Sequence, residues 1–164
     1  MKRAIVLVLA LLCITSLTSF AQTSTTANIT ANVTAVLTIT NTAALNIGTV
    51  NQGQTVTLTS LQAGAAAFTV NGQASASTTV AVTGPPGGNL VSGASTIPFT
   101  LQTGRYNTVN TQSSSTAFPG TSGGTATTSA TGALYLWIGG GVTASALQPA
   151  GSYTGTLTVS VTQP

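Results

Sequence analysis

The sequence has no acidic residue and no histidine. Among 164 residues the only charged side chains are Lys2, Arg3 and Arg105, and the only cysteine is Cys13. General acid–base catalysis needs a group whose pKa can be brought near the working pH, usually His, a carboxyl group, Lys or Cys. A serine nucleophile lacks a base that would activate it, and glycoside hydrolysis lacks its two carboxylates. We therefore expect that the protein is not an enzyme.

The same absences exclude other kinds of site. Zinc would find no Cys, His or carboxylate ligand beyond Cys13, and calcium would find only neutral oxygen atoms. A nucleic acid would meet one arginine instead of a basic patch, so the calculated pI of about 9.6 is misleading. We expect no cofactor, no metal ion and no nucleic-acid partner.

The first 21 residues have the features of a secretory signal peptide. Met1-Lys2-Arg3 is basic, "AIVLVLALLCI" is apolar, and Ser19 and Ala21 stand at the small-residue positions of a cleavage site. The apolar run is too short for a membrane-spanning helix. We predict cleavage after Ala21 and a secreted or cell-surface protein, exported through the periplasm in a Gram-negative cell, with no membrane span in the mature chain. A lipid anchor on Cys13 is the alternative, but Leu12 stands where a small residue is needed.

After the signal, apolar and polar residues alternate with period two, and no helical periodicity of useful length appears. The alternation turns Phe68 with Val70, and Val80 with Val82, to one side of their strands. Asn71-Gly72 is the strongest turn signal between these strands. The pattern predicts an all-β fold, an antiparallel β-sandwich of about eight to ten strands. A right-handed β-solenoid would need a fixed repeat, and the sequence has none.

We predict three segments: a signal peptide at 1–21, an N-terminal strand segment at 22–40 and a β-sandwich domain at 41–164. Within the domain, residues 45–50 read as a strand, and Pro98 indicates an edge strand or a bulge. The Ser/Thr/Gly-rich residues around 104–124 read as a long flexible surface loop.

The opening strand, Ala27 to Thr40, alternates almost without interruption. One face carries only apolar side chains: Ile29, Ala31, Val33, Ala35, Leu37 and Ile39. Such a strand can pair within its own domain, or it can add to an exposed sheet edge of a neighbouring molecule. The sequence leaves both possibilities open.

Three stretches carry a resemblance to known families: "LTITNTAALNIGTV", "GAAAFTVNGQASASTTVAVTGP" and "ALYLWIGGGVTASALQPAGSYTGTLTVSVTQ". Together they resemble the bacterial secreted proteins called domain of unknown function 4402. The ending "AGSYTGTLTVSVT" also resembles the spore coat protein U family and related secreted pilins. The resemblance implies an Ig-like or pilin-like sandwich without catalytic residues. Its pilin branch implies polymerisation by donor-strand exchange, helped by a disulfide and a chaperone, and this chain lacks the cysteines for that disulfide.

Three further side chains are candidate contacts with a ligand or another subunit. Tyr135 and Trp137 lie on the strand face opposite Leu134, Leu136 and Ile138, where a sugar could stack on them. The alternative is that this row belongs to the core or to a subunit contact. Arg105 could meet an anion, although a solvated loop residue is the simpler interpretation.

Two other patterns have ordinary explanations. Asn28 and Asn32 each begin a glycosylation sequon, but such matches are expected by chance in an Asn/Thr-rich chain. Threonine-rich strands are also found on ice-binding surfaces, yet threonine is common on solvent-facing strands and twisted sandwiches seldom give flat arrays.

The leading hypothesis is a secreted structural subunit that self-assembles into a surface fimbria, filament or matrix by strand addition. Its partners would be copies of itself and, if one is used, a secretion chaperone or usher. The alternative is an adhesin or carbohydrate-binding module for a surface glycan, and an ice-binding protein comes third.

Intact mass tests the processing predictions. The secreted protein should begin at Gln22 and carry neither a lipid on Cys13 nor a glycan on Asn28 or Asn32. Electrospray mass spectrometry of the exported chain, compared with the calculated mass of residues 22–164, gives the answer. A mass excess in steps of one hexose would contradict the sequon interpretation.

Overall fold

The computed structural model describes residues 25–31 and 36–164. The chain divides into two units, Met1–Val33 and Thr34–Pro164. In the first unit the described residues form no helix or strand, and the predicted signal peptide lies outside them. The second unit is all-β, with its strands arranged in three antiparallel sheets.

The described residues contain twelve strands, more than the eight to ten predicted. The strands are β1 (Thr38–Ala43), β2 (Thr55–Leu58), β3 (Ala66–Asn71), β4 (Ser77–Thr83), β5 (Asn89–Ser92), β6 (Ser95–Leu101), β7 (Arg105–Asn107), β8 (Thr116–Ala117), β9 (Gly123–Thr127), β10 (Ala133–Ile138), β11 (Gly140–Thr143) and β12 (Thr158–Thr162). Short 3-10 turns occur at Pro86–Gly88 and Gln112–Ser114. No helix in the described part of the chain is long and apolar enough to cross a bilayer.

The strand order defines the three sheets. Sheet A has the order β1-β3-β10-β7-β8, sheet B the order β2-β11-β6-β5, and sheet C the order β12-β4-β9. Consecutive strands often lie in different sheets: β3 belongs to sheet A and β4 to sheet C, so the Asn71-Gly72 turn crosses between layers. The arrangement is consistent with a β-sandwich.

The main core lies between sheets A and C. The alternation of side chains along each strand sends every second residue inward, and the inward rows predicted from the sequence are confirmed. Sheet A contributes Phe68, Val70, Leu134, Leu136 and Ile138, and sheet C contributes Val80, Val82 and Ala126. Leu134, Leu136 and Ile138 are fully buried, so the strand that contains them is the centre of the fold.

Gly139 lies where the chain passes from sheet A into sheet B. β10 ends at Ile138 in sheet A and β11 begins at Gly140 in sheet B. A side chain at Gly139 would press against the Leu58 carbonyl oxygen and lie 2.8 Å from the Ser60 backbone nitrogen. Only glycine permits this close approach of backbones. Beyond this bend, Ile97, Val142 and Ala144 form a second, smaller core.

The structure corrects several local expectations. Residues 45–50 form no strand, and Gly48 has a φ of 80° that interrupts an extended chain there. The predicted loop at 104–124 contains β7, β8, a 3-10 turn and the start of β9. Strand β1 begins at Thr38, within the predicted N-terminal strand segment 22–40.

Pro98 lies in the interior strand β6, where an edge or bulge was expected. It faces Asn89 of β5, while the pairing of β6 with β11 covers only Phe99 to Leu101. Proline removes a donor that a central ladder needs. Its position beyond the end of the β11 ladder makes that loss tolerable.

Replacing Gly139 with Ala tests the bend. The added methyl group meets backbone atoms that cannot move independently, and overpacking of this kind costs about 2–3 kcal/mol of unfolding free energy. Gly120→Ala is the matched control, because nothing lies within 4 Å of a side chain there. Urea unfolding should separate the two variants; equal stability would refute the close-approach account.

Candidate functional site

A groove of about 1380 Å³ opens beside the second core. Residues 44–52, which follow β1, form its first flank, and residues 149–157, which precede β12, form its second flank. Its floor is apolar and includes Ala66, Phe68, Ile97, Phe99 and Val142. Small-molecule pockets usually measure about 300–1,000 Å³, so the groove is large for a small ligand.

The first flank turns side chains inward without joining a sheet. Leu45, Ile47 and Val50 pack against the two cores. The Asn46 N–H donates to the Gly64 carbonyl at 2.8 Å, and the Gly48 N–H donates to the Asn46 side chain at 3.0 Å. Few main-chain hydrogen bonds therefore restrain this flank within the described residues, and much of its backbone is available to a partner.

The second flank is held at two points. Thr154 exchanges main-chain hydrogen bonds of 2.8 and 2.9 Å with Val91 at the edge of sheet B. The buried Gln148 side chain donates to the Thr96 carbonyl at 3.0 Å and to the Tyr153 hydroxyl at 2.7 Å. The Tyr153 hydroxyl in turn donates to the Pro149 carbonyl at 2.8 Å. These uncharged contacts fix the flank in position while leaving its other main-chain groups without a sheet partner.

The groove lies between two sheet edges. Among the described residues β1 pairs only with β3, and β12 pairs only with β4. Leu37, just before β1, and Gln163, just after β12, both lie against Gly72. The two strands therefore approach each other at that end of the domain, and the groove occupies the opposite end, beside Gln52 and Gln148.

The predicted apolar row of the opening strand is divided by the structure. Leu37 and Ile39 pack in the domain's own core, because β1 pairs with β3 from Thr38 onward. Ile29 is 96% exposed, and Ala31 is also exposed. Val33 and Ala35 lie outside the described residues. Of the two sequons, Asn28 is exposed and Asn32 lies outside the described residues.

The aromatic pair on β10 is not an open platform. Trp137 is only 6% exposed and lies between Ala67 of β3 and Arg105 of β7. Tyr135 is half-buried beside Thr69 and Asn107. Trp137 therefore offers no free ring face on which a sugar could stack.

Arg105 lies in strand β7, where the sequence suggested a loop. Its Nε donates to the Ser115 hydroxyl at 3.0 Å and an Nη donates to the Ser115 carbonyl. Gln112, in the same turn, donates to the Ser60 carbonyl at 2.7 Å. Arg105 thus holds the turn at Ser115 against β7, and the Gln112 amide joins that turn to Ser60.

The groove is suited to an extended peptide. It combines an apolar floor, which can accept every second side chain of a strand, with flanking main-chain groups that can pair with its backbone. The sequence did not predict the hydrogen bonds of Gln148 and Tyr153 that hold the second flank. It also did not predict that residues 44–52 form the first flank of the groove. The only signal in the sequence was Gly48, which marks the break in the predicted strand.

No protein-family model matches the chain, and the search of curated proteins gave no match. The functional interpretation therefore rests on the groove, the strand edges and the charge inventory.

Stability should not depend on pH. Asp, Glu, His and Cys are the side chains whose usual pKa values lie between about 4 and 9, and residues 22–164 contain none of them. Folded and unfolded chains then bind equal numbers of side-chain protons in this range, so the side chains contribute no slope to the unfolding free energy against pH. Urea titrations followed by Trp137 fluorescence should give one midpoint across this range. A slope above about 0.3 kcal/mol per pH unit would contradict this account.

Proposed function

We propose that the protein is a secreted structural subunit of pilin-like sandwich architecture, which self-assembles into a filament or matrix by adding a strand to a neighbouring copy. The observation that carries the proposal is the groove between residues 44–52 and 149–157, with an apolar floor and sparsely bonded flanks.

Main-chain pairing is the first argument. Backbone N–H and C=O groups require partners when they are removed from water. A strand inserted between the flanks would pair with both of them and cover the floor in one step. Natural sheets protect such edges with charged residues or proline. Neither flank contains a charged residue, and their one proline is Pro149 at the start of the second flank. Residues 44–52 and 150–157 therefore carry neither kind of protection against strand addition.

The segment ahead of β1 is the natural donor. Residues 22–36 number fifteen (36 − 21) after the predicted cleavage and span about 50 Å when extended. Because Leu37 and Ile39 belong to the domain's own core, the donor row shortens to Ile29, Ala31, Val33 and Ala35.

Turn chemistry favours insertion into a different copy. Folding back into the same groove would require a tight reversal just before Thr38. Thr34, Ala35 and Val36 are poor residues for such a turn, which usually needs Gly, Asn or Asp. Insertion into the next copy needs no reversal, and a head-to-tail contact that does not close produces a filament.

The energetics allow such a contact. Burying Ile29 and Val33 would contribute about 3–6 kcal/mol before the cost of ordering the donor. Each main-chain hydrogen bond adds about 1 kcal/mol net. A donor of about eight residues could therefore hold subunits together even without ion pairs. Residues 22–164 contain no cysteine, so the contact would form without a disulfide.

The carbohydrate-binding alternative has less support at the aromatic pair, because Trp137 is buried. Ice binding has support only from the exposed Thr and Ser residues of sheet C, such as Thr79, Thr125 and Thr162. We therefore keep strand addition as the leading function.

Truncation tests the proposal directly. Residues 22–164 should form filaments visible by negative stain, while residues 36–164, which keep β1 intact, should stay monomeric. A synthetic peptide of residues 25–36 should bind the truncated domain in a one-to-one ratio, measured by fluorescence anisotropy.

The matched control is the same peptide with I29N and V33N, which keeps length and neutrality but removes the two large apolar groups. We expect at least a ten-fold loss of affinity, which corresponds to about 1.4 kcal/mol. Filaments formed equally well by residues 36–164 would eliminate the donor-strand mechanism.

A further inference from the structure

Arg105 is the only charged side chain of the folded domain, and the chain contains no carboxylate side chain to pair with it. The residue is nevertheless half-buried in sheet A. Removing a charge from water is unfavourable unless hydrogen bonds or an opposite charge compensate. No side chain of its own chain can therefore neutralise the positive charge of Arg105.

The known contacts of Arg105 use only part of its guanidinium group. Nε and Nη2 each donate one hydrogen bond to Ser115 within the described residues. A guanidinium has five N–H donors, so three (five less two) remain: both on Nη1 and one on Nη2. An end-on pair of donors is the geometry that binds a carboxylate with two parallel hydrogen bonds.

A small cavity lies beside Arg105. It measures about 240 Å³ and is lined by Arg105, Thr59, Ser60, Leu61, Gln102, Thr103 and Ala117. Its polar lining residues are Thr59, Ser60, Gln102 and Thr103, and Leu61 and Ala117 are apolar. The cavity is distinct from the groove, because the two have no lining residue in common.

We propose that this cavity binds the carboxylate of an acidic sugar residue such as a hexuronic acid. One guanidinium balances one negative charge, which matches a carboxylate better than a doubly charged phosphate. The hydroxyl and amide side chains of the lining are suited to sugar hydroxyls, and Leu61 and Ala117 are suited to the C–H face of a pyranose ring. This assignment does not depend on strand addition, since it uses different residues on a different part of the domain.

Titration of the folded domain, residues 36–164, with galacturonate, galactose and acetate tests the proposal. Galacturonate should produce saturable amide shifts at Ser60, Thr103 and Ala117 in nitrogen–proton correlation spectra, with a millimolar dissociation constant. Galactose should bind at least ten-fold more weakly because it lacks the charge, and acetate several-fold more weakly because it lacks the ring. Equal shifts with galactose, or none with galacturonate, would overturn the assignment.

Two variants separate ligand binding from a structural role of Arg105. R105Q removes the charge and should weaken galacturonate binding at least ten-fold. S115A removes the hydroxyl that holds Nε but keeps the guanidinium, so binding should persist even if the turn is destabilised. Two outcomes would show that the cavity does not recognise the carboxylate through Arg105. The first is loss of binding in S115A while R105Q still binds galacturonate, and the second is full binding in R105Q.

Discussion

Unpaired backbone is the constraint from which the other properties follow. A strand needs hydrogen-bond partners on both sides, and edge strands leave half of those groups to solvent or to another chain. In this domain β1 and β12 are both edge strands within the described residues, and the chain beside each of them continues into a flank of the groove. Charged residues do not guard these edges, because β1, β12 and the two flanks of the groove contain none.

The same lack of charge determines how the domain is held together. Aliphatic side chains fill the space between sheets A and C, while neutral amides and hydroxyls make the contacts that ion pairs often make elsewhere. Gln148 joins the second flank to β6, and Gln112 joins two turns over sheet A. Neutral hydrogen bonds contribute about as much net stability as exposed ion pairs and are not weakened by salt. A scaffold of this kind is suited to an exposed setting where salt and acidity vary.

The elements that sequence could predict are those with a local cause. Period-two alternation located the inward rows of β3, β4 and β10, because a strand with one buried face must alternate. Residues 45–50 also alternate, yet they form no strand, and the φ of 80° at Gly48 interrupts the extended chain there. The strands around Arg105 were missed because their stabilising contacts come from residues distant in sequence, such as Ser115 and Trp137. The groove was not predictable, because it is formed by segments about a hundred residues apart.

In the proposed assembly, the alternating pattern of the opening strand would serve two molecules. Ile29, Ala31, Val33, Ala35, Leu37 and Ile39 occupy odd positions, and a shift of one residue would send this row to the opposite face. Ile39 packs in the domain's own core, while Val36, at an even position, is 78% exposed. In the proposed assembly an extended chain can leave one sandwich and enter the next without a bulge or a change of face. The odd-numbered apolar row, which continues from the donor into β1 past the single exception Val36, is thus the feature that a shared strand requires.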